Sequence, residues 1–192
     1  MRTKDENKKE AICRAAIDLI QSGGFEDTSM SKIAKAAGIS PATIYVYFEN
    51  KEDLLNEIYL KVKRAMSTAM MRDLDEGGDI EEEFRKVWFN FYRYAAENPV
   101  DFAFGEQFAN SPLVNRLSRD EGEGYYGPLI ELFERGKREG VFKDIPLAVF
   151  SAFAFFPVIG LVRNRNSENL VFGRELLEKV YEIAWDAVTE AS

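Results

Sequence analysis

The side chains best suited to specific chemistry stand close together in the N-terminal third of the sequence. The Thr43 hydroxyl can hydrogen-bond the edge of a nucleic-acid base, and Ala42 and Val46 can touch the methyl group of thymine. The hydroxyls of Tyr45 and Tyr47 can bind phosphate oxygens. This combination favours recognition of double-stranded DNA over bond-making or bond-breaking chemistry.

Catalytic residues of the usual kinds are missing from the chain. It has no histidine, which excludes Ser-His-Asp and Cys-His nucleophile activation and histidine-ligated metals. Its one cysteine, Cys13, excludes an intramolecular disulfide and a multi-cysteine zinc site, and fits a reducing cytoplasm. The charged N-terminus has no apolar stretch of the signal-peptide type. We therefore predict a cytoplasmic protein that is not an enzyme and has no metal and no cofactor.

A helix-turn-helix is predicted to position the candidate DNA-contacting side chains. Two short helices, at 30–37 and 41–47, are separated by residues 38–40, a turn so short that the helices must cross steeply. The serine of that turn can cap the second helix, and Pro41 is well tolerated at its first position. A preceding helix, which ends near residue 24, supplies apolar side chains that can close a small core against both.

Charge separates the chain into two parts. The sequence has net charge −8, from 25 basic and 33 acidic residues. The first 64 residues carry 11 basic and 10 acidic side chains, whereas the remainder carries 14 and 23. A nearly neutral head therefore precedes a strongly acidic body, and we expect the acidic excess to lie away from any bound nucleic acid.

Helical periodicity dominates, and we find no sustained alternation of the kind typical of strands. We predict an all-α fold of about nine helices. A helix-turn-helix domain covers residues 1–50 and is extended by a linking helix at 51–74, and a second domain covers residues 75–192. The helices of the second domain are expected at about 80–96, 99–110, 123–138, 146–163 and 173–189.

Four ordered runs lie along the head: GGFEDTSM at 23–30, IAKAAGIS at 33–40, TIYVYF at 43–48 and NKEDLL at 50–55. Through them the chain, from about Glu10 to Leu55, resembles the TetR family of transcriptional regulators. The resemblance implies an all-helical homodimer in which three N-terminal helices bind DNA and the fourth links to a variable body. That body would be a ligand-binding and dimerisation domain whose last two helices pair across the dimer.

The same resemblance implies roles for individual residues. It makes the segment 41–47 the recognition helix, in which Ala42, Thr43 and Val46 face bases. Other matching positions are those that touch phosphate or fix the recognition helix in relatives. The residues predicted to form the DNA-binding site are Thr28, Ser29, Lys32, Pro41, Ala42, Thr43, Tyr45, Val46, Tyr47 and Lys51.

Several of these positions keep an alternative. Lys32 stands where relatives often carry an acidic residue that completes a capping box, so it could face phosphate instead. Tyr47 stands where many relatives have histidine, so a phosphate contact there should not switch near neutral pH. Tyr45 and Phe48 could mainly pack the recognition helix onto the first helix. The lysines of this segment could also be ordinary solvated charges.

An aromatic stripe marks the body. Phe84, Val87, Trp88 and Phe91 repeat at helical spacing, which is most often a sign of core packing. More aromatic residues follow than tight packing of short helices ordinarily needs, and the resemblance favours a cavity for an apolar or aromatic small molecule. The residues predicted to line this cavity are Trp88, Tyr92, Phe104, Phe108, Tyr125 and Phe153.

The final helices carry more apolar faces than one core can absorb, and a second stripe usually needs a second partner. We predict a two-fold homodimer through helices 146–163 and 173–189. It would place the paired recognition helices about 34 Å apart on a palindromic operator. The uncharged run at 145–162 contains two prolines, and we expect a helix buried on most sides rather than a membrane span.

These features together predict a TetR-like repressor that binds double-stranded operator DNA as a dimer and is released by a small-molecule effector. One alternative is an enzyme that uses carboxylates such as Glu97, Asp101 and Glu106. Another is a DNA-binding protein whose body serves only to dimerise. A G-x-G-x-x-G match at 122–127 does not follow a buried strand, so no dinucleotide site is expected.

Overall fold

The computed structural model describes residues 4–168 and 172–190, with the side chains of 5–164 and 172–190. The secondary structure of these residues is helical apart from an isolated bridge between Phe142 and Thr189, which confirms the predicted all-α class. The helices are α1 (Lys4–Gly23), α2 (Met30–Ala36), α3 (Pro41–Ile44), α4 (Lys51–Met70), α5 (Ile80–Glu97), α6 (Pro99–Ala109), α7 (Arg116–Gly124), α8 (Gly127–Arg138), α9 (Leu147–Ala154), α10 (Phe156–Glu168) and α11 (Arg174–Val188).

The helices form two compact units, each built from two stretches of chain. The first contains the residues up to Arg64 together with Val100–Glu123, and the second contains Ala65–Pro99 and the residues from Gly124 onward. The sequence-based boundary at residue 75 had assigned α6 and α7 to the C-terminal domain. They pack in the first unit instead, because their aromatic and polar side chains meet the helices of the head.

The first unit has a continuous apolar core. Ile12 and Ala16 of α1, Ile33 of α2 and Ile44 of α3 are fully buried in it. Fully burying one such aliphatic side chain stabilises a fold by about 1.5–3 kcal/mol. Gly38 joins α2 to α3 with φ +69°, a left-handed conformation that other residues adopt only at a cost.

Helices α6 and α7 add to this core. The Phe104 and Phe108 rings stack with centroids 5.5 Å apart, and Phe25 of the α1–α2 connection lies 5.7 Å from Phe108. An ion pair at 2.9 Å joins Arg14 of α1 to Asp101 of α6. The head therefore contains two helices that lie far from it in sequence.

The second unit is organised around Phe84 of α5. Its ring has five aromatic neighbours with centroids between 5.6 and 6.1 Å, contributed by α9, α11 and the connections beside them. Asp79 caps α5, because its side chain accepts a hydrogen bond from the backbone of Glu82 at 3.0 Å. Most of the predicted aromatic stripe is therefore core, as expected from its helical spacing.

Three helix predictions need correction. Helix α7 was missed because its sequence is polar and contains two glycines. It is held by Asn115, whose side chain accepts from the backbone of Ser118 at 2.8 Å. The helix predicted at 146–163 is two helices, which meet at Phe155, just before Pro157. The recognition helix is regular only from Pro41 to Ile44.

The expectation that the apolar run is buried on most sides is wrong. Only 28% of the stretch Leu147–Asn164 is buried. The length and composition of this stretch would allow it to cross a membrane. A single such stretch is weak evidence for a membrane span. The physical reason for its exposure is that α9 and α10 bury one face in the second unit and leave the other without cover from their own chain.

Candidate nucleic-acid interface

The recognition segment presents four residues to solvent. Val46 is 79% exposed and Tyr45 is 57% exposed, and Pro41 and Ala42 are exposed as well. After Ile44 the chain continues as a tight turn, in which Val46 donates to the Thr43 carbonyl at 3.1 Å. Because the helix ends early, Tyr45 and Val46 project from a turn rather than from a helical face.

Buried neighbours hold this turn from behind. Ile44 and Phe48 are almost completely inaccessible to solvent, and the Lys9 ammonium lies 5.4 Å from the Phe48 ring centre. The alternative that Phe48 packs the recognition segment onto the first helix therefore agrees with its burial. Tyr45 is too exposed for the same role.

The start of α3 is a capped helix. The backbone of Thr43 donates to the Ser40 side chain at 3.1 Å, and the two hydroxyls lie 2.7 Å apart. Pro41 occupies the first helical position, where its missing N–H costs nothing. Thr43 is half-buried, and its hydroxyl lies within the cap that fixes the start of this helix.

Two of the predicted phosphate contacts serve the fold itself. Thr28 is 2% exposed, and its hydroxyl donates to the carbonyl of Gly24 at 2.8 Å. Ser29 caps α2 by accepting from the backbone of Lys32 at 3.3 Å. Thr28 therefore fixes the connection between α1 and α2, and Ser29 fixes the start of α2. Phosphate contact by either residue remains a prediction.

The lysines of the segment also have internal partners. The Lys51 ammonium donates to the carbonyls of Phe25 and Thr28 at 2.9 and 3.0 Å. The Lys32 ammonium donates to the carbonyl of Asp27 at 2.7 Å. These bonds hold both ammonium groups against the connection between α1 and α2. Phosphate contact by either lysine remains a prediction.

Tyr47 makes a hydrogen bond that the local sequence patterns do not predict. Its hydroxyl donates to Asp5 Oδ1 at 3.1 Å, which links the recognition turn to the first turn of α1. Burial, and then the Asp5 carboxylate, raise the pKa of Tyr47 above its usual value. In the sequence Asp5 looks like an ordinary acidic residue near a helix start, and nothing in the spacing signals its partner.

The six residues predicted to line a ligand cavity are not gathered in one place. Phe104 and Phe108 belong to the core of the first unit. Trp88 is fully buried in the second unit, where its indole N–H donates to the carbonyl of Ala154 at 2.9 Å. Phe153 is 57% exposed on α9. Trp88 thus satisfies a carbonyl beside the break between α9 and α10.

Tyr92 is the member of that set that lines a cleft in the second unit. The cleft has a volume of about 370 Å³ and lies between side chains of α5 and residues at the start of α11. Tyr125, the remaining member, is half-buried. The cleft is lined by Phe89, Tyr92, Arg93, Ala96, Glu97, Phe172 and Leu177.

Asn56 is a buried polar residue that is not among the predicted site residues. It is 5% exposed, and its amide donates to the carbonyl of Leu113 at 3.0 Å and accepts from the backbone of Asn115 at 3.0 Å. It therefore fixes the connection between α6 and α7 to α4. An amide inside the apolar stripe of α4 is the sequence signal that could have identified it.

Among the described residues, five large exposed apolar side chains lie on the last three helices, and we refer to them together as the exposed apolar row. It includes two phenylalanines with more than half of their surface in solvent. The exposed members of the row are Val149, Phe153, Phe156, Leu176 and Ile183.

Within the described residues, no cluster of His, Cys, Asp and Glu could hold a metal ion.

Both parts of the chain match known families. Residues 12–58 match the model described as bacterial regulatory proteins, tetR family. Residues 79–189 match the model described as tetracyclin repressor-like, C-terminal domain. The second match alone covers more than half of the chain.

Individual relatives agree with these matches. A fatty acid metabolism regulator protein of Bacillus subtilis is 36% identical over 135 residues, covering 69% of this chain and 70% of its own. An HTH-type transcriptional regulator of Haemophilus influenzae is 25% identical over 189 residues, covering 98% and 99%. The crystal structure of a TetR family transcription regulator from Marinobacter aquaeolei covers both chains completely, with TM-score 0.91 and 32% identity.

Proposed function

Because the chain belongs to the TetR family of transcriptional regulators, we propose that it is a repressor that binds a palindromic operator as a homodimer and is released by a small molecule. Members of this family regulate transcription and are not enzymes, which removes the carboxylate-enzyme alternative. The observation that carries the proposal is the exposure of Tyr45 and Val46 at the end of a capped, well-packed helix.

Sequence reading would combine apolar and polar contacts in the major groove. Ala42 and Val46 would touch thymine methyl groups, and Thr43 would hydrogen-bond a base edge. The hydroxyls of Tyr45 and Tyr47 would bind phosphates and fix the register. With few strong donors to bases, part of the preference would come from DNA shape.

Dimerisation would cover the exposed apolar row on α9, α10 and α11. A stretch as apolar as Leu147–Asn164 that is only 28% buried calls for a partner, and a second copy provides the same face. The dimer would also hold two recognition segments one DNA turn apart. We place this dimer in the cytoplasm, where its operator is.

The effector would be an apolar or aromatic small molecule that binds in the second unit. The cleft beside Tyr92 supports this proposal, because Phe89, Phe172 and Leu177 give it apolar walls and Arg93 and Glu97 give it polar ones. The Bacillus subtilis relative is a fatty acid metabolism regulator protein, which agrees with an apolar effector for this chain.

Release would follow from a shift between two conformations. An effector that binds more tightly to one conformation of the second unit favours that conformation. Helix α4 contributes residues to both units, so a swing of this helix would change the separation of the two recognition segments. The dimer could then no longer contact both half-sites at the same time.

The test is binding to a DNA fragment from the promoter of the chain's own gene, measured by fluorescence anisotropy over a series of salt concentrations. We expect affinity that falls steeply with salt, a protected palindrome, and weaker binding to a shuffled duplex of equal length. Val46→Ala should reduce affinity for the promoter fragment and leave affinity for the shuffled duplex unchanged. Equal affinity for both duplexes would contradict the proposal.

Effector release is tested separately with long-chain fatty acids, their acyl thioesters and planar aromatic compounds. One of these probes should lower operator affinity and change the fluorescence of Trp88, whose ring lies 5.0 Å from that of Phe89. Tyr92→Ala should weaken the response to that probe without changing operator affinity in its absence. Unchanged operator affinity at saturating probe would favour the alternative in which the body serves only to dimerise.

A further inference from the structure

The contact between Tyr47 and Asp5 joins the recognition turn to the start of α1. The Tyr47 hydroxyl donates to Asp5 Oδ1 at 3.1 Å, although the two residues are 42 positions apart. Asp5 is exposed and Tyr47 is half-buried. This places a negative charge at hydrogen-bond distance from a hydroxyl that is proposed to meet the DNA backbone.

One hydroxyl proton cannot serve two acceptors well. A tyrosine has a single O–H to donate, and both a carboxylate and a phosphate oxygen accept it strongly. The carboxylate and the phosphate also repel each other when both lie close to the same hydroxyl. A phosphate that approaches Tyr47 must therefore replace Asp5 as the acceptor of this hydrogen bond or remain beside the negative charge of Asp5.

We propose that Asp5 is an intramolecular competitor of DNA for the Tyr47 hydroxyl. In the free protein the carboxylate holds the hydroxyl, and operator binding breaks this bond, so Asp5 limits the affinity for the operator. The inference rests on the proposed phosphate contact of Tyr47. It assigns Asp5 a role in setting how tightly the repressor holds DNA and how readily it lets go.

A simpler role for Asp5 involves α1 alone. Asp5 and Glu6 both lie in the first turn of this helix, where acidic side chains interact favourably with the helix dipole. That role does not involve Tyr47. Glu6→Gln is therefore a matched control, because it removes one negative charge from the same turn.

The experiment is a double-mutant cycle on operator affinity at one fixed salt concentration. It compares the wild type with Asp5→Asn, Tyr47→Phe, the double variant and Glu6→Gln. We expect Asp5→Asn to tighten binding by about three-fold to ten-fold and Glu6→Gln by less than about two-fold. In the Tyr47→Phe background, Asp5→Asn should have no more effect than Glu6→Gln.

Each other outcome has a distinct meaning. If Asp5→Asn and Glu6→Gln have equal effects, net charge explains both and the competitor role is wrong. If Asp5→Asn weakens binding only when Tyr47 is present, Asp5 orients the hydroxyl for DNA, and the role is again wrong. If Tyr47→Phe leaves affinity unchanged and no coupling appears, the phosphate contact itself fails, while the rest of the repressor proposal stands.

Folding is checked by circular dichroism for every variant of the cycle. Asp5→Ala is measured as a second substitution, because asparagine at this position can still accept a weaker hydrogen bond from Tyr47. A competitor role requires Asp5→Ala to tighten binding at least as much as Asp5→Asn. Weaker binding by a folded Asp5→Ala protein would overturn it.

Discussion

Val46 exposes 79% of its surface in the recognition turn, so this apolar side chain contributes little burial to the stability of the fold. Its neighbours in sequence behave differently: Ile44 and Phe48 are buried and anchor the turn. Farther back, Thr28 and Lys51 bond to backbone carbonyls of the head. At the scale of single residues, the fold therefore divides similar side chains into those that build the head and those available to DNA.

Operator affinity should depend little on pH. The chain has no histidine, and burial together with Asp5 raises the pKa of Tyr47 above its usual value, so the hydroxyl keeps its proton at physiological pH. At constant ionic strength we expect affinity to change less than about two-fold between pH 6 and pH 9. A larger transition within that range that Tyr47→Phe removes would contradict this expectation.

Cys13 should be an unreactive thiol. It is 5% exposed, and burial raises the pKa of Cys13 to about 11, so very little thiolate forms near neutral pH. We expect the folded protein to react with an aromatic disulfide reagent at pH 8 on the order of 100-fold more slowly than the protein in concentrated urea. Equal rates in the two conditions would mean that this part of α1 opens readily.

At the scale of elements, hydrogen bonds from side chains decide where helices end and how connections are held. Trp88 bonds to the carbonyl of Ala154 beside the break in the apolar run, and Asn115 caps α7. Asn56, in the second turn of α4, fixes the connection between α6 and α7. These three residues are distant in sequence from some of the atoms they bind, so local patterns predicted the elements better than their boundaries.

Asn56→Ala should destabilise the protein strongly. The substitution removes a buried amide and leaves the carbonyl of Leu113 and the backbone N–H of Asn115 without this partner in a partly buried position, at a cost of about 1–3 kcal/mol in the free energy of unfolding. Urea denaturation followed by circular dichroism measures this change.

Asn110→Ala is the matched control, because Asn110 is exposed, directly follows α6 and bonds to the carbonyl of Glu106 in that helix. Its cost should stay below about 0.5 kcal/mol. If the two substitutions destabilise the protein equally, the buried position of Asn56 is not what makes it important.

At the scale of the whole molecule, each unit draws on separate stretches of the chain. The first unit contains the helix-turn-helix together with α6 and α7, and the second contains α5 and the helices from α8 onward. The second unit also carries the exposed apolar row on α9, α10 and α11, and these side chains are not covered by the rest of their own chain. A single copy would therefore be insufficient for both proposed activities, because the proposed palindromic operator would need two recognition segments and the proposed dimer would need two apolar rows.

Phe153→Glu should break the proposed dimer. It replaces a 57% exposed member of the apolar row by a charged side chain, which pairing would bury without a partner. Light scattering coupled to gel filtration at micromolar concentration should give twice the monomer mass of 21.9 kDa for the wild type and a lower mass for the variant. Operator affinity should fall in parallel.

Leu117→Glu is the control for this experiment. Leu117 is 80% exposed on α7, in the first unit, so the substitution adds the same charge outside the apolar row. We expect this variant to remain dimeric. A wild-type protein of monomer mass, or a dimeric Phe153→Glu variant, would contradict the proposed interface.

The sequence by itself determined the fold class, the helix-turn-helix and the family, because these depend on local signals. Apolar spacing, caps such as Ser40-Pro41 and the glycine at residue 38 act within a few residues of one another. The tertiary structure decided what depends on long-range packing: Phe104 and Phe108 join the head, Trp88 is buried, and Phe153 is exposed. It also brought Asp5 to Tyr47, since a contact across 42 residues follows from how helices pack and leaves no trace in local spacing.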